Sequence, residues 1–266
     1  MGRDDTCIAV FGGVYNNYLA LEAVLADARV RGATAFYCLG DMGGFGPYPD
    51  RVFPLLHAAK VTCIQGNYDH SVGNDLKDCG CGYTDPRDNY YAQISYEYTN
   101  AHTAPCHKAW LRDLPPLHRR TFGGKRLLMA HGSLRRVNEF LWESTTPAPF
   151  LSKLLDGCDA DVLLCTHTGI HWQHALPDGR LFVNVGAIGR PANDGRTEVW
   201  YALLTAAPDP PEVRAELIPV AYDHARLAAE IRDEGLPEQF AETILTGWWT
   251  TCLEVLPARE RARGKY

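Results

Sequence analysis

Apolar residues along this chain fall into short continuous runs broken by polar and glycine-rich junctions, with one helical stripe near the start. The stretch "CIAVFGGVYNNYLALEAVLADA", residues 7–28, opens as a buried strand and closes as an amphipathic helix, because Leu21, Val24, Leu25 and Ala28 fall at i, i+3, i+4 and i+7. Its middle, "GGVYNNY", is therefore a strand-to-helix turn. The runs "TAFYCL" (34–39), "VTCIQ" (61–65), "RLLMA" (126–130), "DVLLCT" (161–166), "RLFVNV" (180–185) and "TEVWYALL" (197–204) read as further strands. "PDRVFPLLHAAK" between the second and third reads as a crossover helix. Strand and helix alternate in the first half and the later strands follow closely, which predicts a layered α/β sandwich.

Residues 74–105, rich in Asp, Asn, Gly and Tyr, read as a long insertion over the surface. The segment from Tyr222 to Trp249 reads as two helices broken near "EGLPEQ". At 266 residues, one α/β domain over 1–266 is expected, with its core at about 7–205 and a helical tail at about 221–255.

A formal net charge of -6 argues against general nucleic-acid binding, which draws its affinity from neutralised phosphates. The start "MGRDDTC" has no apolar signal core and no run is long enough to span a bilayer, so a cytoplasmic protein is expected. Nine scattered cysteines, with Cys7, Cys38, Cys63 and Cys165 in or beside apolar runs, fit a reducing compartment. Cys79 and Cys81, with Cys106 and His107 downstream, raise the idea of zinc, but C-x-C is not the usual knuckle spacing.

The chemistry gathers at four strand ends: Asp41 in "GDMGGFGP", Asn67 and Asp69 in "GNYDH", His131 in "HGS" and His167 in "THTG". A lone Gly-Asp is an ordinary turn and a lone histidine an ordinary polar residue. Together on one rim, one carboxylate, one amide oxygen and two imidazoles suit Zn, Mn or Fe(II). The opening turn contributes no acid, histidine or cysteine. It also lacks G-x-G-x-x-G spacing and a P-loop lysine, and on its own reads as a tight turn with Asn17 capping the helix.

In order, "GDMGGFGP", "GNYD", "HG", "THTG" and "NVGAIGRP" resemble the motif series of the calcineurin-like metallophosphoesterases, over roughly residues 7–205. The resemblance implies a four-layer αββα sandwich and hydrolysis of a phosphate mono- or diester, in which two ions share a bridging aspartate and activate a water. It places the ligands of one ion on Asp41, Asn67, His131 and His167, all present. The private ligands of the other, a D-x-H pair and the last histidine of G-H-x-H, fall on Gly13, Tyr15 and Gly169. A single divalent transition metal (Zn, Mn or Fe) and a vacated second site are therefore expected, rebuildable by Gly13→Asp, Tyr15→His and Gly169→His.

By the same resemblance Asp41, Asn67 and His131 are catalytic, Asp69 orients a ligand by hydrogen bonding, and Arg190 and Tyr15 contact substrate phosphate. Tyr68 stands where many relatives carry a histidine that protonates the leaving group. Arg135 and Arg136 are further phosphate candidates, and His171 and His174 read as polar residues leaving the rim. The expected partner is a phosphate-ester small molecule or a nucleotide. The alternative is a non-catalytic binding or scaffold protein, as thought for a eukaryotic trafficking subunit of similar fold, with the 74–105 insertion and Trp248–Trp249 as surfaces for a partner protein.

Overall fold

The first strand, β1 (Cys7–Phe11), packs apolar side chains on both of its faces, and the layering follows from that. Ile8 and Val10 enter one apolar layer while Ala9 and Phe11, of opposite parity, enter another. The structure, a computed structural model, describes residues 6–208 and 211–262. Beside β1 lie β2 (Ala35–Cys38) and β3 (Thr62–Cys63), both parallel. A second five-stranded sheet orders β4 (Leu117–Phe122), β5 (Lys125–Ala130), β6 (Val162–Cys165), β8 (Leu181–Asn184) and β7 (Trp172–Ala175). The first sheet is completed by an antiparallel pair, β9 (Val199–Pro208) and β10 (Pro211–Val220), in the order β10-β9-β1-β2-β3.

Parity repeats across the second sheet. Leu127, Met129, Val162, Leu164 and Val183 face Ile8, Val10, Tyr37 and Leu39 between the sheets. Leu128, Leu163, Cys165 and Phe182 face outward onto Leu151, Leu154 and Leu155 of α6 (Ala148–Cys158). Over the first sheet pack α1 (Tyr18–Val30), α2 (Val52–Ala58), α3 (Asn67–Gly73), α4 (Pro86–His102) and α5 (Pro105–Arg112). They are joined there by α7 (His224–Asp233) and α8 (Glu238–Thr246), and the short α9 (Ala258–Arg261) follows. The result is the expected four-layer αββα sandwich: helices, sheet, sheet, helix. Among the described residues no helix is long and apolar enough to cross a membrane.

One expectation needs correction. Residues 74–105 are not mainly a loop: α4 runs through them, opened by the Asp85 side chain accepting from the Arg87 N–H with Pro86 in the first turn. Ala92 and Tyr96 bury its inner face. Cys79 and Cys81 are joined as a disulfide, Cys106 is exposed, and His107 stacks on Phe53 at 4.1 Å, so these four side chains do not form a zinc knuckle. The other cysteines are free, and Cys38, Cys63 and Cys165 are buried as expected.

The parallel strands β2, β3, β5 and β6 end on one rim, delivering Asp41, Asn67, His131 and His167. Because both faces of the central strands are dry, Leu164→Ala, at a fully buried position between the sheets, should lower unfolding free energy by about 2–5 kcal/mol. Val30→Ala, at an 88% exposed position, should change it by less than about 0.5 kcal/mol. Chemical denaturation of the two variants measures the contrast.

Candidate metal centre

The rim is assembled by backbone before any side chain presents a lone pair. Asp69, in the first turn of α3, accepts N–H bonds from Gly66 (2.8 Å), Asp41 (2.7 Å) and Met42 (2.9 Å), tying the loops after β2 and β3 together. Asp41 sits in the left-handed region at φ 58, and His167 at φ 65, conformations that non-glycine residues hold only where their surroundings enforce them. Gly66 is required for another reason: a Cβ there would lie 2.3 Å from Asp41 Oδ1 and 2.9 Å from His131 Cε1.

Asp41 Oδ1 accepts from the Tyr68 N–H at 3.0 Å, and Oδ2 stands 3.3 Å from His131 Nε2. His131 Nδ1 donates to the Leu39 carbonyl at 2.7 Å, which leaves the Nε2 lone pair pointing into the site. That Nε2 is 3.1 Å from His167 Nδ1. Donor atoms of Asp41, His131 and His167 all fall within 4.8 Å of one another, and the three side chains are buried. Asn67 completes the expected set: its Nδ2 donates to the Cys79 carbonyl (2.9 Å) and Cys81 Sγ (3.4 Å), while its buried Oδ1 has no hydrogen-bond partner. His167 Nε2 is likewise buried and unpartnered.

Burial, helped by the neighbouring His131, pulls His167 down to about 3, so it is a neutral ligand-competent imidazole. Burial also disfavours charge on His131, but Asp41 and the Leu39 carbonyl outweigh it and raise its pKa. Burial and then the Asp41 charge push Asp69 up to about 7, against the three N–H groups it accepts. A bare buried acceptor is costly, and the Asn67 Oδ1 beside a carboxylate and two imidazoles is chemically matched to a divalent transition cation.

A calcineurin-like phosphoesterase superfamily domain matches residues 7–208, about three-quarters of the chain. The chain belongs to the calcineurin-like phosphoesterase superfamily. It is 24% identical over 255 residues to the uncharacterised protein MJ0912 of Methanocaldococcus jannaschii, covering 90% of this chain and 98% of that one. The crystal structure of a Sphaerobacter thermophilus metallophosphoesterase superposes with TM-score 0.69 at 24% identity, over 92% of this chain and all of that one. That of the Pyrococcus horikoshii hypothetical protein PH1004 superposes with TM-score 0.75 at 21% identity, over 92% and 99%.

The other side of the rim is built differently. The opening turn is laced to the Asp41 loop, with the N–H groups of Val14 and Tyr15 donating to the Asp41 carbonyl at 2.8 and 3.2 Å. Asn17 caps α1 as expected, its Oδ1 accepting from the Ala20 N–H at 3.0 Å, and its Nδ2 donates to Gly189 at 3.2 Å, drawing in the loop that carries Arg190. Tyr15 is buried, edge-on to Phe45 at 5.3 Å. The buried Arg190 guanidinium lies 3.5 Å from the Trp249 ring centre, 4.9 Å from Phe45 and 5.8 Å from Tyr15. Its Nε has no hydrogen-bond partner, and it forms no ion pair among the described residues.

Rebuilding the second site by substitution is therefore not a matter of restoring ligands to a ready frame. Gly13 (φ +53) and Gly169 (φ +74) both sit in the left-handed region. A Cβ at Gly13 would meet Ala187 Cβ at 2.8 Å, and one at Gly169 would meet the Trp249 ring at 3.2 Å and Arg190 Nη2 at 3.5 Å. Aromatic rings and a guanidinium occupy that half of the rim.

Other expected residues lie apart. The Tyr68 hydroxyl lies within hydrogen-bond distance of Ser95 Oγ (3.0 Å) and the Ala92 carbonyl (3.3 Å), both on α4, which it anchors. His171 stacks on Trp200 at 3.9 Å and His174 is exposed on β7. Arg135 pairs with Glu139 at 3.1 Å, and Arg136 is exposed. Phe45, Trp249 and the Cys79–Cys81 bridge were missed as neighbours of the site. Phe45 and the bridge carried a signal, the one lying within "GDMGGFGP" and the other following "GNYD"; Trp249 carried none.

His131→Ala or His167→Ala should abolish tight binding of Mn2+ or Zn2+, and His171→Ala should retain it within about threefold, by elemental analysis and calorimetric titration. The double variant Gly13→Asp, Gly169→His should unfold at lower temperature than the parent and bind no additional ion, because both positions demand positive φ.

Proposed function

We propose that this protein is a metal-dependent phosphoesterase in which one divalent cation and the Arg190 guanidinium act on the same phosphate group. The observation that carries the reading is Arg190: a buried guanidinium without a carboxylate partner, beside a four-donor cation site. Burying an unpaired charge is costly, and a bound anion relieves it. An anion between a cation held by Asp41, Asn67, His131 and His167 and the fork of Arg190 is best supplied by a phosphate mono- or diester, free or as part of a nucleotide. Membership of the phosphoesterase superfamily supports the same substrate class.

A cation held there would polarise a phosphoryl oxygen and lower the pKa of a coordinated water. The remaining work belongs to the chain. Asp41, Asn67 and His131, with His167, would hold the ion; Asp69 fixes Asp41 through its N–H; Arg190 would bind phosphoryl oxygens and offset charge that builds up in the transition state. Tyr15 lines the same side of the rim, and Arg190 opposes the rise that burial imposes on its phenol. The Tyr68 hydroxyl is committed to α4, so that position offers no proton to the leaving group. Esters with acidic alcohol or phenol leaving groups are accordingly the favoured substrates.

A non-catalytic role is the second reading, because the burial of Asp41, Asn67, His131, His167 and Arg190 together restricts a substrate's access to the rim. Hydrolysis of aryl phosphate mono- and diesters separates the two. Turnover should vanish with chelator, return with Mn2+ or Zn2+, and fall by about 100-fold in kcat/KM in Arg190→Ala. Chelator-insensitive turnover, or an Arg190→Ala variant equal to the parent, would sink the hydrolytic mechanism; ion binding without turnover of any ester would favour the binding protein.

A further inference from the structure

The Cys79–Cys81 bridge grips the one expected ligand whose orientation is not set by a ring or a charge. An amide side chain presents either oxygen or nitrogen to a given point, and only the oxygen carries a lone pair for a cation. The Asn67 Nδ2 is held from both ends of the bridge, by the Cys79 carbonyl at 2.9 Å and Cys81 Sγ at 3.4 Å, and this leaves Oδ1 buried and unpartnered. Gly80, between the two cysteines, packs over Asn67, since a Cβ there would lie 3.9 Å from Asn67 Cβ. Its carbonyl accepts from Asn138 Nδ2 at 3.0 Å, fastening the loop across the rim.

This bridge is poorly suited to being a structural staple. Cross-linking stabilises a fold in proportion to the loop it closes, and residues only two apart in sequence enclose almost none. Cys79 and Cys81 are themselves buried, flanked by exposed Asp78, Gly80 and Gly82 on the segment between α3 and α4, so a reductant reaches the sulfurs through a local opening of that segment. The remaining cysteines form no bridge among the described residues, and Cys106 is the exposed one.

We propose that Cys79 and Cys81 form a redox site, a thiol–disulfide couple whose oxidised form orients Asn67 for the metal and whose reduced form loosens it. The inference rests on the reading of Asn67 as a ligand. The reductant is a dithiol. Its thiolate attacks one sulfur and the mixed disulfide resolves; the Cys79–Cys81 S–S bond breaks as one forms in the reductant, and two electrons and two protons pass to the protein. The freed thiols rotate independently, Cys81 Sγ leaves the Asn67 amide, and the oxygen-inward orientation loses its support. Hydrogen-bond partners behind a metal ligand typically contribute about 10- to 100-fold in affinity, which sets the expected size of the effect.

The test uses the full chain carrying Cys106→Ser, with thiols counted by alkylation and mass spectrometry, and Mn2+ binding followed by electron paramagnetic resonance. Manganese is chosen because thiolates attract it weakly, so new sulfur ligands do not mask the change. The bridged protein should bind Mn2+ about 10- to 100-fold more tightly than the dithiol-reduced protein. The variant Cys79→Ser, Cys81→Ser should match the reduced form and ignore dithiol, while circular dichroism should show all forms folded. Equal Mn2+ affinity of bridged and reduced protein overturns the inference and leaves the metal reading standing. Failure of both forms to bind Mn2+, with His131→Ala indistinguishable from them, overturns both. A pair that dithiol cannot reduce in the folded protein overturns the redox site outright.

Discussion

The interaction on which the rim depends is the Asp69 carboxylate with its three backbone N–H donors. Strands β2 and β3 end side by side, but a sheet positions only their last residues; the loops beyond are free to diverge. Asp69 closes them, taking donors from Gly66 on one side and from Asp41 and Met42 on the other. Asp41 is thereby held at a positive φ that it would not adopt alone. Its carboxylate then meets His131, whose ring is turned by the Leu39 carbonyl at the end of β2. A buried acid surrounded by donors of the main chain is thus the keystone of an arrangement in which the presented side chains are secondary.

The two halves of the rim are built from opposite chemistry. One gathers lone pairs: Asp41, Asn67, His131 and His167. The other gathers π faces around a guanidinium, with Tyr15, Phe45 and Trp249 close to Arg190. The π faces of the rings stabilise the weakly hydrated guanidinium but leave its Nε–H without a hydrogen-bond acceptor. Trp249 is fixed by its own bonds, its N–H to Asn193 Oδ1 at 2.9 Å and its indole N–H to the Pro191 carbonyl at 2.7 Å. The C-terminal segment is therefore part of the rim, and α7 and α8 serve to bring it there.

What was legible in the sequence follows burial. β1, β2, β5, β6 and β8 read as apolar runs because both faces of each are dry, and the helical stripe of α1 was equally plain. The three strands that went unread, β4 ("LHRRTF"), β7 ("WQHA") and β10 ("PEVRAELIPV"), are all edge strands, where one side meets water and Arg119, Gln173 or Glu212 interrupts the pattern. α4 was hidden by its tyrosines and asparagines, although Asp85-Pro86 was a helix-start signal in plain view. The four donors were visible because each ends a strand. The setting of Arg190 was not, because Trp249 joins it across a long stretch of chain that no local pattern records.

A cation carried on a side chain differs from one taken from solution in a way that concerns the cell rather than the site. Arg190 is synthesised with the protein, is present at full occupancy in every copy, and neither exchanges with competing ions nor responds to their scarcity. Under the proposed reading, a rim charged in this way would draw one of its three positive charges from translation and depend on the ambient metal pool for a single ion, where a two-ion rim would compete for that pool twice.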